Sequence, residues 1–303
     1  MKIKSNFFII VGICIVLAFV SAADMSCNQS NAAKSGLDFL LVSRPGFINS
    51  GSLISQGDIF NVGVHLENYD SKERSGMICL RDDVEDGFGG ISSGSLGECQ
   101  SFVIRAAERT DVKKTGILSS SSSQVNPGIL EVFFPSSGQE YSYYGMPEML
   151  NPYTANLYVT VQYNEITDAS ATITVPGQDQ PVMAQEPAML QVGVVKEIHP
   201  RENGYLVDLA ITLTKQANAG IYTPDLSREN ITQMNINLIP LSIGCSVLGK
   251  PFDGTMDVSK TATVKCSAII NNNQAQGFPL VVSLAYGVQI QKSFGFNIKT
   301  KQT

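Results

Sequence analysis

Apolar and polar residues alternate through most of this chain, with little sustained helical periodicity. The segment Asp58 to Asn68 shows the pattern best: Phe60, Val62, Val64 and Leu66 fall on one side, and Asn61, Gly63, His65 and Glu67 on the other. A two-residue period is that of a half-buried strand. The same reading predicts strands at Leu37–Ser43, Gly76–Arg81, Ser101–Ala106, Ile129–Phe134, Asn156–Asn164 and Ser170–Pro176. A second set follows at Met189–Ile198, Tyr205–Thr214, Met234–Ser242, Gly244–Leu248, Thr261–Ile270, Leu280–Tyr286 and Gln291–Lys299. Gly, Ser and Pro clusters separate these short strands, so the predicted fold class is all-β, arranged as two tandem sandwiches.

The stretch from Pro176 to Pro187 holds three prolines and few bulky apolar residues, which marks a linker between the two sets. The expected organisation is a leader at 1–23, a polar linker at 24–36 and a first sandwich at 37–176 carrying an insertion at about 107–152. The Pro-rich linker at 177–187, a second sandwich at 188–299 and a tail at 300–303 follow. The halves read as divergent copies. Tyr158–Tyr163 matches Val281–Tyr286 near the end of each, and Cys79 and Cys99 align with Cys245 and Cys266.

Lys2 and Lys4 precede an apolar run from Phe7 to Val20, and Ser21, Ala22 and Ala23 supply small residues after it. This is the layout of a signal peptide or, if uncleaved, of an N-terminal anchor. Either outcome places the remainder outside the cell or on its surface, with membrane contact only through this segment. The formal charge is −6. The densest basic spots, Lys113-Lys114 and Lys299 with Lys301, are too small to neutralise a run of phosphates, so nucleic acid is set aside as a partner.

Candidate chemistry is sparse, and no cofactor is expected. Cys79, Cys99, Cys245 and Cys266 lack Cys-x-x-Cys spacing and a histidine nearby in sequence, so structural disulfides fit better than a metal or redox site. The short spans point to local clasps, each worth roughly 3 kcal/mol for a closed loop of about 20 residues. Cys27 is left as a free or inter-chain thiol. Asp82, Asp83, Glu85 and Asp86 gather carboxylates that could hold calcium, against the simpler reading of a solvated acidic loop; Val84 breaks the EF-hand spacing. Tyr141, Tyr143 and Tyr144 are candidates for an exposed binding patch, against packing within the insertion. Asn28 and Asn230 begin glycosylation sequons. His65 and His199 are the only histidines, and no Gly-x-Ser-x-Gly elbow occurs, so the chain is not expected to be an enzyme.

The stretch GDIFNVGVHLEN resembles the second strand of adhesion-type immunoglobulin-like modules on archaeal and bacterial surfaces. The second half, from MLQVGVVKEI through FPLVVSLAYGVQIQKSFGFNIK, resembles the C-terminal module of uncharacterised archaeal exported proteins with two such domains. The resemblance implies a non-enzymatic cell-surface protein, structural or adhesive, whose partner is another surface protein or a cell-envelope glycan. Two alternatives remain: a glycan- or peptide-binding accessory module using the Tyr-rich insertion, and an extracellular filament subunit.

Overall fold

The structure is a computed structural model that describes residues 36–300, apart from residues 93, 95–96, 114–120, 148–150, 178, 186–187, 216–219, 260–262 and 272–275. The leader at 1–23, Cys27 and Asn28 lie outside the described residues. Strand makes up 66% of the described residues, which hold no α-helix, only a 3-10 turn at Asp86–Phe88. The fold is therefore all-β, as the alternation predicts. Residues 35–303 cluster as one compact unit.

In chain order the described strands are β1 (Leu37–Leu41), β2 (Leu53–Ser55), β3 (Val62–Asn68), β4 (Arg74–Asp82), β5 (Glu98–Ile104), β6 (Glu108–Lys113), β7 (Ser121–Asn126), β8 (Gly128–Phe134) and β9 (Tyr153–Val175). There follow β10 (Ala184–Gln185), β11 (Leu190–Arg201), β12 (Gly204–Lys215), β13 (Gly220–Tyr222), β14 (Ile231–Leu238), β15 (Gly244–Val247), β16 (Lys250–Pro251), β17 (Thr255–Asp257), β18 (Thr263–Ile270) and β19 (Gln276–Lys299).

Three sheets build the body. One runs β1-β3-β8, another β11-β12-β18-β15-β16, and the largest runs β17-β14-β19-β9-β4-β5 with β10 beside β9 and β2 and β13 beside β19. Strands β6 and β7 form a separate hairpin. Inward residues of the three-stranded sheet (Phe39, Val62, Val64, Leu66) and of β4, β5 and β9 (Ile78, Leu80, Phe102, Leu157, Val159) share one apolar core, which makes the packing sandwich-like. Val207, Leu209, Ile211 and Val264 of the five-stranded sheet join Met234, Leu280, Val282 and Leu284 of β14 and β19 in the same way.

The two halves repeat one topology. The set β1-β3-β8 with β5-β4-β9 has its counterpart in β11-β12-β18 with β17-β14-β19. What joins them is an exchange of strands. Residues 157–163 of β9 pair with β4 on one side and with residues 288–294 of β19 on the other. Residues 280–285 of β19 pair with β14 on one side and with residues 166–171 of β9 on the other. Each long strand thus begins in its own half and finishes as a neighbour strand in the other half's sheet. The matched segments Tyr158–Tyr163 and Val281–Tyr286 lie symmetrically about the pair Asn164↔Gly287, so a pseudo-twofold axis passes through that point.

Two expectations change. Asn156–Asn164 and Ser170–Pro176 are one strand, β9, and Leu280–Tyr286 and Gln291–Lys299 are one strand, β19. The cysteine pairs are not equivalent between the halves. Cys79 and Cys99 join β4 to β5 within the nine-stranded sheet, whereas Cys245 and Cys266 join β15 to β18 within the five-stranded sheet. Similar sequence spans, 20 and 21 residues, arise from different strand pairs.

Candidate functional site

Both disulfides link residues directly opposite one another on neighbouring strands, Cys79 with Cys99 and Cys245 with Cys266. Their presence fits an oxidising compartment. No helix among the described residues is long and apolar enough to cross a membrane.

The acidic loop scatters its carboxylates. Asp82 is fully buried and accepts hydrogen bonds from Tyr143 Oη (2.5 Å), Val84 N (3.0 Å) and Ile91 N (3.3 Å). Burial pushes its carboxyl up to about 6, against the opposing pull of those donors. Asp83 turns the other way and accepts from Asn156 N and Nδ2 at 2.7 and 2.8 Å. Glu85 and Asp86 are exposed beside the 3-10 turn. Among the described residues no group of three or more His, Cys, Asp or Glu side chains is placed to hold a metal ion.

Tyr143 is 1% exposed and stacks with Phe60 (5.3 Å) and Phe296 (6.1 Å). Gly90 makes room for it, with φ +82° and a Cβ position only 2.0 Å from the ring. Tyr141 is 9% exposed and donates to Glu98 Oε2 at 2.5 Å. Of the three tyrosines only Tyr144, 60% exposed, faces solvent. The first two anchor the segment after β8 to the core, so the three do not make an exposed aromatic platform. Asn230 is half-buried at φ 59°, and its partner in the sequon, Thr232, is fully buried with its hydroxyl donating to Gln233 O or Ala285 O.

The histidines sit apart. His65 lies 3.7 Å from Glu67 and 3.6 Å from Glu131, on the outer side of the three-stranded sheet. His199 Nε2 lies 3.3 Å from Asp208 Oδ2, while Ser267 Oγ donates to Asp208 Oδ1 at 2.5 Å. Folding thus brings a Ser, an Asp and a His together, but the carboxylate stands between the other two. The hydroxyl is bonded to an acceptor that cannot act as its base in the usual relay, so the nucleophile is not activated.

A buried polar cluster marks the crossing of the long strands. Arg74 donates to Asp70 Oδ2 at 2.9 and 2.8 Å and to Glu165 Oε1 at 3.0 Å, and its guanidinium lies 5.7 Å from the centre of the Tyr163 ring. Thr167 Oγ1 and Tyr286 Oη meet at 3.3 Å. Burial pushes Glu165 up, with Arg74 opposing. The Tyr163 hydroxyl, buried, has no hydrogen-bond partner among the described residues. Largely buried charges paired in this way fix a register rather than add much net stability.

The remaining feature is the outer face of the β4-β9-β19 region. Register places Thr154 opposite Asn297, Tyr158 opposite Ser293, Thr160 opposite Gln291 and Gln162 opposite Gln289. Gln162 Nε2 donates to Gln289 Oε1 at 2.8 Å, and Thr154 Oγ1 donates to Asn297 Oδ1 at 3.0 Å. Arg81 on β4 lays its guanidinium 4.2 Å from the Tyr158 ring centre. The face is a ladder of amides and hydroxyls across two strands. No family model matches this chain, and no curated protein matches it. The ladder and the Arg74 cluster are the features that sequence reading missed. Arg74 and Glu165 lie 91 positions apart and Gln162 and Gln289 lie 127 apart, and the outward glutamines resemble any solvated strand face until their partners are known.

Proposed function

We propose that this chain is an exported, non-enzymatic module of the cell surface, structural or adhesive in role, built from two immunoglobulin-like sandwiches that act as one body. The observation that carries the reading is the exchange of β9 and β19. Each sheet half takes its neighbour strand from the other half, so the joint is a continuous antiparallel strand pair from Tyr153↔Ile298 to Val175↔Gln276 and not a tether. A joint of this kind resists bending in a way that a flexible linker does not. The two cross-strand disulfides support an extracellular setting, and the Asp-centred arrangement at His199 supports a non-catalytic role.

Cell fractionation followed by cross-linking mass spectrometry tests the reading. The expected outcome is a surface or secreted pool with both disulfides formed and cross-links to envelope components. A reduced cytoplasmic pool overturns it.

A further inference from the structure

The outer ladder of β9 and β19 carries amide side chains directed away from the core. Rungs recur about every 6.6–6.8 Å along each strand, because every second residue points outward. The pairing of Gln162 with Gln289 uses one donor and one acceptor and leaves Gln162 Oε1 and Gln289 Nε2 for a second partner. Asn297 keeps its Nδ2 in the same way, since Thr154 occupies only its oxygen. Thr160 Oγ1 donates to Gln291 Oε1 at 3.5 Å and is buried, so on this rung the exposed group is Gln291, which keeps its Nε2.

Charge narrows the class of partner. Across these rungs the bordering charged groups are Arg81, stacked on Tyr158, Asp83, already engaged by Asn156, and Lys299, exposed two positions beyond Asn297. An anionic polymer needs a cluster of cations, and two cations at separate places with an aspartate beside them do not provide it. An acyl surface or an amphipathic helix needs a contiguous apolar patch, whereas here Met77 and Val103 lie only at the flank toward β5. A row of neutral donors and acceptors beside a tyrosine ring complements a chain of neutral hydroxyls. Amides bond adjacent hydroxyl pairs at both ends, and an aromatic surface accepts the C–H face of a pyranose.

We propose that this face binds a neutral, extended glycan, lying along the β9–β19 pair over Gln162, Gln289, Gln291 and Tyr158. The proposal gives the adhesive reading a ligand and rests on it only for where that ligand is met. Pure protein tests the binding regardless of compartment, whereas fractionation tests the compartment regardless of binding.

The probes are cellohexaose, chitohexaose and mannohexaose, with hexagalacturonate as the charged control, titrated calorimetrically into the whole disulfide-bonded chain. The expected result is saturable binding of at least one neutral probe, tighter than that of hexagalacturonate. The double variant Gln162→Ala/Gln289→Ala should weaken it about tenfold with an unchanged melting temperature, as expected for the loss of two or three solvent-facing hydrogen bonds. Ser293→Glu, at an exposed rung position, provides a second variant and should weaken binding likewise. No binding by any neutral probe at millimolar concentration overturns the proposal. So does unaltered affinity in both folded variants, or a wild-type dimer that the Ser293→Glu change dissociates, which would assign the face to a second copy of the chain.

Discussion

Asp82 is the residue whose chemistry reaches furthest. It sits at the end of β4 in full burial, holds the Tyr143 hydroxyl, and so ties the segment after β8 to the first disulfide-bearing strand pair. Its carboxyl is raised from an ordinary 3.8 to about 6, with burial the largest cause. A raised carboxyl binds its proton more tightly in the folded chain than in the unfolded one. Its contribution to stability is therefore complete below about pH 4 and is lost as pH rises through about 6. A shift of this size corresponds to about 1–3 kcal/mol. Glu165, also raised by burial, acts with the same sign. Urea unfolding at several pH values should show a wild-type profile that falls relative to Asp82→Asn across this window. Parallel profiles for the two proteins would remove Asp82 as the cause.

Among the elements, β11 illustrates how an exposed edge is managed. It borders the five-stranded sheet, and the Pro-rich segment before it lends two glutamine side chains in place of a neighbouring strand. Gln180 donates to Lys196 O at 3.1 Å and accepts from Lys196 N at 2.8 Å; Gln185 donates to Leu190 O at 2.6 Å and accepts from Val192 N at 2.9 Å. Lys196 is itself turned inward and buried, with Nζ on Thr174 O at 3.1 Å. Side-chain amides and an inward lysine both discourage pairing with a foreign strand. Gln180→Ala/Gln185→Ala should associate at concentrations where the wild type does not, as light scattering coupled to size-exclusion chromatography will read. Equal masses for both proteins would show that the amides do not guard the edge.

The same elements show what was legible in the sequence. Strand β3 was plain, because Val62, Val64 and Leu66 alternate with the more exposed His65 and Glu67, and the buried polar Asn68 comes only at its end. Strand β9 was read as two pieces because Glu165 and Thr167 occupy core-facing positions and interrupt the apolar period. They are tolerated there only because Arg74 and Tyr286, from distant strands, satisfy them. In β19, the stretch after Val288 alternates weakly for the same reason: its outward partners are glutamines whose bonding depends on β9. The Tyr-rich segment was noticeable in sequence, but which tyrosine pointed inward depended on Asp82 and Glu98.

For the whole molecule, the consequence of strand exchange is shared cooperativity. Calorimetry should show one unfolding transition for the intact, disulfide-bonded chain, with the calorimetric and van't Hoff enthalpies in agreement. A fragment ending at residue 176 lacks the β19 strand that covers residues 153–163 of β9, and it should be unfolded or aggregated. A stable monomeric fragment, or two resolved transitions, would count against a single folding unit. The exchange also bears on how the chain is made. Residues 37–175 contain nearly all of the first sandwich, yet its large sheet is closed by residues 288–298, so a growing chain has no complete partner for β9 until almost all of it has left the ribosome. Closure of the exchanged sheet is thereby postponed to the end of synthesis, an order of events that suits the exported role proposed above.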